Sequence, residues 1–154
     1  KKFEKEGVFI RKIVSNIISY KLNFKDDKTL IMVELAFMNS LEGKIKQRYD
    51  DFNILKNSVS ACIIFGSYIS SKDNPTDIDV LFVVEKNDFS FYKKKLEEAS
   101  LITPVKIHDI VQTKSDLIKN ILEEDKLIPE ILKRGIVLWG WKFLSEVIRD
   151  FNKT

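Results

Sequence analysis

The spacing of apolar residues changes several times along the chain, and each change marks an element. Residues 61–65, Ala-Cys-Ile-Ile-Phe, are an unbroken apolar run of strand length, and 78–84 are a second, rich in β-branched side chains. Between them Gly66-Ser67 opens a polar segment with Ser70, Ser71, Asp73, Asn74 and Pro75, which predicts a loop. Upstream, 8–14 and 16–22 predict two short strands joined as a hairpin at Val14-Ser15-Asn16; in the second, Ile18, Tyr20 and Leu22 alternate with Ser19 and Lys21. From residue 28 to 58 the period becomes helical, with Leu30, Val33, Phe37, Leu41, Ile45 and Tyr49 at three- and four-residue steps. Asp26 and Asp27 suit its N-terminus, and Gly43 is where it divides in two.

Beyond the second run, 88–100 predict a helix and 101–111 a strand entered by Pro104. Residues 113–122 read as a helix opened by Thr113 and Asp116 in a capping box, and 127–134 as a helix closed by Gly135. A short strand over 136–140 and a terminal helix over 141–151 complete the order. It predicts an α/β (α+β) fold: a small mixed β-sheet with flanking helices, preceded by a β-hairpin and a long helix.

Composition narrows the function classes. The chain of 154 residues is long enough for one compact domain with a core of its own, and its apolar fraction of 44% is ordinary. No apolar stretch has the length of a membrane span and no signal peptide is evident, so no membrane partner is expected. The single cysteine, Cys62, lies inside an apolar run and reads as a core residue; with no partner for a disulfide, a cytoplasmic setting is the default. One histidine and one cysteine argue against zinc. A net charge of +3 permits nucleic-acid binding without arguing for it. The run Lys44, Lys46, Gln47, Arg48, Asp50, Asp51 reads as a solvated helix face.

The chemistry concentrates at residues 66–79. Asp77 and Asp79 open the second strand two residues apart, and strand parity turns both to one face, beside the loop that carries Gly66 and Ser67. Two carboxylates this close repel unless a cation lies between them, and Mg²⁺ takes one or two carboxylates plus substrate phosphates. Glycine lets the backbone approach a phosphate, and the Ser67 hydroxyl can donate to it. The plain alternative is a Gly-Ser turn with two solvated aspartates at the start of a strand.

Gly66-Ser67, about ten loop residues, then Asp77-Ile78-Asp79 ahead of an apolar strand resembles the signature of the DNA-polymerase-β-like nucleotidyltransferases, closest to their minimal prokaryotic members. The phrase from Arg134 to Gly140, Arg-Gly-Ile-Val-Leu-Trp-Gly, resembles the ending common among those members, which extends the likeness over 59–140. The resemblance implies a Mg²⁺-dependent transfer of an NMP from an NTP, ATP first among them, to a hydroxyl of a protein or other acceptor. Asp77 and Asp79 would bind the metal, Asp109 would be the third catalytic acid, and Gly66, Ser67 and Lys72 would bind the nucleotide. Two positions depart from the family. Lys106 stands where the third acid is usual, and Asp109, three residues on, has the opposite strand parity. Lys72 is the only cation in the loop, where transferring members often carry an arginine. His108 shares a face with Lys106; it offers a neutral imidazole or a phosphate contact, or is merely a polar residue at a strand end. These departures leave open a nucleotide-sensing or scaffold domain without turnover.

The segment ahead of the hairpin, ending in Gly7, reads as the tail of a helix, and the chain opens at Lys1-Lys2 with no methionine, as a trimmed chain or a fragment would. A helix tail, a glycine and a basic hairpin resemble the wing of a winged helix-turn-helix domain, which implies DNA contact through an upstream domain and phosphate contacts from Lys1, Lys2, Arg11, Lys12 and Lys21. A β-arm that extends a sheet or mediates dimerisation reads equally well. Minimal nucleotidyltransferases also serve as antitoxins beside a helical toxin, which adds a toxin partner to the expectations. The expected organisation is a hairpin over 1–24, a helical connector over 25–58 and a nucleotidyltransferase domain over 59–154.

Overall fold

The computed structural model describes residues 2–70, 75–123 and 126–152. Four strands form the main sheet: β3 (Ala61–Phe65), β4 (Asp77–Val83), β5 (Lys106–Gln112) and β6 (Ile136–Trp139), in the order β5-β4-β3-β6. β3 runs antiparallel to both β4 and β6, and β4 runs parallel to β5, so the sheet is mixed. Alternation along the strands sends side chains to two separate cores. Cys62, Ile64, Val80 and Phe82 meet Phe52, Leu55, Tyr92 and Ala99 on one face. Ala61, Ile63, Leu81 and Val83 meet Leu117, Ile128, Ile131, Leu144 and Val147 on the other. The central pair β3 and β4 is therefore apolar on both faces, which is why each reads as an unbroken run. This is the small mixed sheet with flanking helices that the pattern implies.

The helices follow the same logic. α5 (Phe89–Ile102) covers the first face with α3 (Gly43–Asp51) and the 3₁₀ turn Phe52–Leu55; α6 (Lys114–Leu122), α7 (Leu127–Arg134) and α8 (Trp141–Phe151) cover the second. The capping box of α6 forms as expected: Asp116 N–H donates to Thr113 Oγ1 at 3.2 Å and Thr113 N–H to Asp116 Oδ2 at 3.1 Å. Upstream, α1 (Lys2–Lys5) ends before Gly7, and β1 (Phe9–Val14) pairs antiparallel with β2 (Ile17–Leu22) across the turn Ser15-Asn16. α2 (Asp27–Phe37) is capped by Asp26, whose carboxylate accepts from Lys28 N–H at 3.0 Å, and lies against α8.

Four expectations need correction. Between Gly66 and Pro75 the chain is not all loop: Ser67–Ser70 close one helical turn, α4, with Tyr68 buried beneath it. The break between α2 and α3 spans 38–42, and Gly43 opens the second helix instead of closing the first. Leu101 and Ile102 belong to the end of α5, not to β5; Thr103 Oγ1 donates to the Ala99 carbonyl at 2.8 Å, and with Pro104 it ends the helix before the strand begins at Lys106. Arg48 is buried, not solvated, and its guanidinium meets Asp51 at 2.9 Å. Gly135 closes α7 as expected, with an ordinary φ of −67°; a Cβ there would meet Ile63 Cγ2 and the Ile131 carbonyl oxygen, so close packing on β3 requires the glycine.

Candidate active site

Asp77 and Asp79 stand at the open end of β4, where the helices of the second face no longer cover the sheet. The parity that buries Leu81 and Val83 in that core turns both carboxylates the same way, and their side chains remain 42% and 35% exposed. Across the antiparallel pair, Asp79 lies opposite Phe65, the last residue of β3. The chain then turns at Gly66, with φ 72°, and a Cβ placed there would collide with Asp79 Oδ2. The bare glycine is what lets the turn close over that carboxylate. Ser67 follows it, exposed, and Ser70 Oγ donates back to the Gly66 carbonyl at 3.2 Å.

The parallel neighbour β5 supplies the third group. Its register sets Lys106 beside Asp77 and His108 beside Asp79. His108 Nδ1 lies 3.8 Å from Asp77 Oδ2 and 3.7 Å from Asp79 Oδ1, too long for hydrogen bonds but close enough for one shared site. Asp109, one residue on, is not brought there. It pairs with Val80 and faces the opposite side of the sheet, where Tyr92 Oη donates to its Oδ2 at 2.8 Å and Lys93 Nζ stands 4.0 Å away. Burial and this hydrogen bond push the Tyr92 hydroxyl far above its ordinary pKa. No bulge interrupts the β4–β5 register to re-aim Asp109. Lys72 lies outside the described residues.

Two cavities border these groups. One, of about 310 Å³, runs from Phe65, Gly66, Ile69 and Ser70 to Glu130 and Arg134 of α7. Those last two residues join the turn only through the fold, and no local sequence signal connects them to it. The other, of about 660 Å³, lies at the carboxyl ends of β4 and β5 and includes Asp109 and Lys93, away from Asp77 and Asp79. Cys62 is fully buried and burial raises its thiol pKa, so it takes no part in chemistry.

Magnesium fits the donor set. Hard carboxylate oxygens, paired on one strand end and open to solvent, leave room for the phosphates and waters that complete its shell. Among the described residues no group of three His, Cys, Asp or Glu side chains could hold a metal ion by itself.

No helix among the described residues is long and apolar enough to cross a membrane. No curated protein and no solved structure matches the chain. A family model described as "Polymerase beta, Nucleotidyltransferase" matches residues 44–138, from α3 to β6, more than half of the sequence. That span contains the Gly66 turn, the paired carboxylates and His108, and the chain belongs to the polymerase-β-like nucleotidyltransferase family.

Proposed function

We propose that this domain transfers an NMP from an NTP to a hydroxyl of a protein or other acceptor at the open end of β4. The observation that carries the reading is the closure of the Gly66 turn over Asp79, which sets a phosphate-accessible backbone against a carboxylate pair. Asp77 and Asp79 would hold Mg²⁺, which would supply the positive charge that offsets the phosphates and the attacking oxygen. Gly66 and the Ser67 hydroxyl bind the triphosphate, with ATP the first nucleotide to try. The acceptor oxygen forms a bond to the α-phosphorus as the bond from that phosphorus to the bridging oxygen of the β-phosphate breaks, and pyrophosphate leaves. His108, on the same strand face as Lys106 and beside Asp79, receives the proton of the acceptor hydroxyl. Asp109 serves Tyr92 and the core instead.

The test uses an NTP radiolabelled at the α-phosphorus. Label transfer should vanish in Asp77→Ala/Asp79→Ala and persist within about threefold, or less than 1 kcal/mol, in Asp109→Asn. Transfer surviving the double change would sink the reading.

A second reading, a nucleotide-sensing domain without turnover in a DNA-binding regulator, is favoured by Lys106. Its strand position beside Asp77 lets an ammonium supply charge that a metal would otherwise bring. The order α1, Gly7, β1, β2 is the one a wing would have, and Arg11, Lys12 and Lys21 would offer cations to phosphates. Mg²⁺-independent NTP binding that Lys106→Ala removes would favour this reading. An antitoxin context would show as co-purification with a helical toxin.

A further inference from the structure

The N-terminal region leaves apolar surface open on two elements. At the tip of the hairpin, Ile13 pairs with Ile18 and Val14 with Ile17, one pair on each face of the two-stranded sheet. These four side chains are 50–71% exposed, and β1 and β2 pair only with each other among the described residues. A two-stranded hairpin alone in water is marginal, so this tip needs a cover. On α2, Ile31 and Leu35 stand one turn apart, and Met38 follows at the extended C-cap; the three are 45–57% exposed. The opposite side of α2 is apolar too: Met32, Val33 and Ala36 line a cavity of about 220 Å³ with Phe9 and Leu22. A helix apolar on both sides has been built to be covered on both.

Charge indicates the occupant. Residues 8–25 carry Arg11, Lys12, Lys21 and Lys25 and no acid. Asp27 and Glu34 border the α2 stripe, and Lys28, the helix's only cation, already meets Asp26 at 3.6 Å. The hairpin is thus complementary to the α2 face of its own chain type. We propose that this region is a homodimer interface, in which the hairpin tip of one copy seats on the Ile31–Leu35–Met38 stripe of a second copy, and reciprocally. The pairing is isologous, as twofold symmetry requires. The half-exposed Phe3, Ile10 and Tyr20 of the same region add apolar surface toward the ~800 Å² per partner that a standard interface buries. A nucleic-acid partner fits less well, because the hairpin tip is apolar and its cations lie back along the strands.

The test is sedimentation equilibrium of the 154-residue chain across a wide concentration range. The expected species has twice the 18.0 kDa mass of one chain. Leu35→Lys and Ile17→Lys should each raise the dimer dissociation constant by about tenfold or more. A charge exchange separates interface from folding defects. Arg11→Glu/Lys12→Glu/Lys21→Glu alone and Asp27→Lys/Glu34→Lys alone should each be monomeric, and an equimolar mixture should restore the dimer. A wild type that stays monomeric, or a dimer that survives both sets of charge reversals, overturns the proposal. So does a monomer that binds duplex DNA through the hairpin cations, which would assign the hairpin to nucleic acid.

Discussion

Asp79 and Asp109 sit on neighbouring parallel strands, one register step apart, yet strand parity gives them different solvents and different partners. Asp79 stays open beside His108 and under the Gly66 turn; Asp109 turns inward to Tyr92. Gly66 joins backbone to site most directly. An alanine there faces both a left-handed backbone and the Asp79 carboxylate, so the turn or the aspartate must move. Gly66→Ala should cost about 1–2 kcal/mol from the backbone conformation alone, read by urea denaturation. The same variant should weaken NTP binding by about tenfold or more, because a factor of ten needs only 1.4 kcal/mol of displaced contact. Unchanged stability and affinity would mean that the turn does not close on Asp79.

Among the elements, α6 carries the most explicit local code, and it was fully legible: Thr113 and Asp116 cap the helix as their spacing implies. Thr113→Ala should cost about 1 kcal/mol by denaturation. The hydrogen bonds from Thr113 hold the Asp116 carboxyl below its ordinary pKa of 3.8. A depressed folded-state pKa gives stability that is present above that ordinary value and is lost as pH falls through the lower one. The difference between wild type and Asp116→Asn should therefore shrink below about pH 4 and vanish in stronger acid. A difference constant across pH would contradict the capping role. Element types were readable wherever one force dominated, as in β3 and β4, apolar on both faces, or the hairpin, with its alternation. Boundaries failed where tertiary context chose. Leu101 and Ile102 lie in a short apolar stretch next to Pro104 yet extend α5, and Arg48 lies in a charged run yet is buried against Asp51. The sequence gives no sign of which charged side chain the sheet will cover.

At the scale of the whole molecule, the fold brings two distant stretches to one strand end. The turn after β3 and the start of β4 were readable together, because they are close in sequence and parity places both aspartates. His108 could be placed on a face but not beside those aspartates, since that needs the β4–β5 register, which no local pattern sets. Glu130 and Arg134 reach the Gly66 cleft only because α7 packs on β3, through Ile131 and Gly135. The exposed stripe of α2 was hidden for a related reason: its residues are as apolar as those of the packed side, and only burial separates them. On the proposed function, the carboxylate pair binds metal and nucleotide together. The most direct test of this is calorimetric titration of ATP, GTP, CTP and UTP, with and without Mg²⁺, into wild type and Asp79→Ala. At least one nucleotide should bind in a way that requires Mg²⁺ and is lost in Asp79→Ala. Binding that ignores both the metal and the substitution, or no binding of any nucleotide, would contradict it.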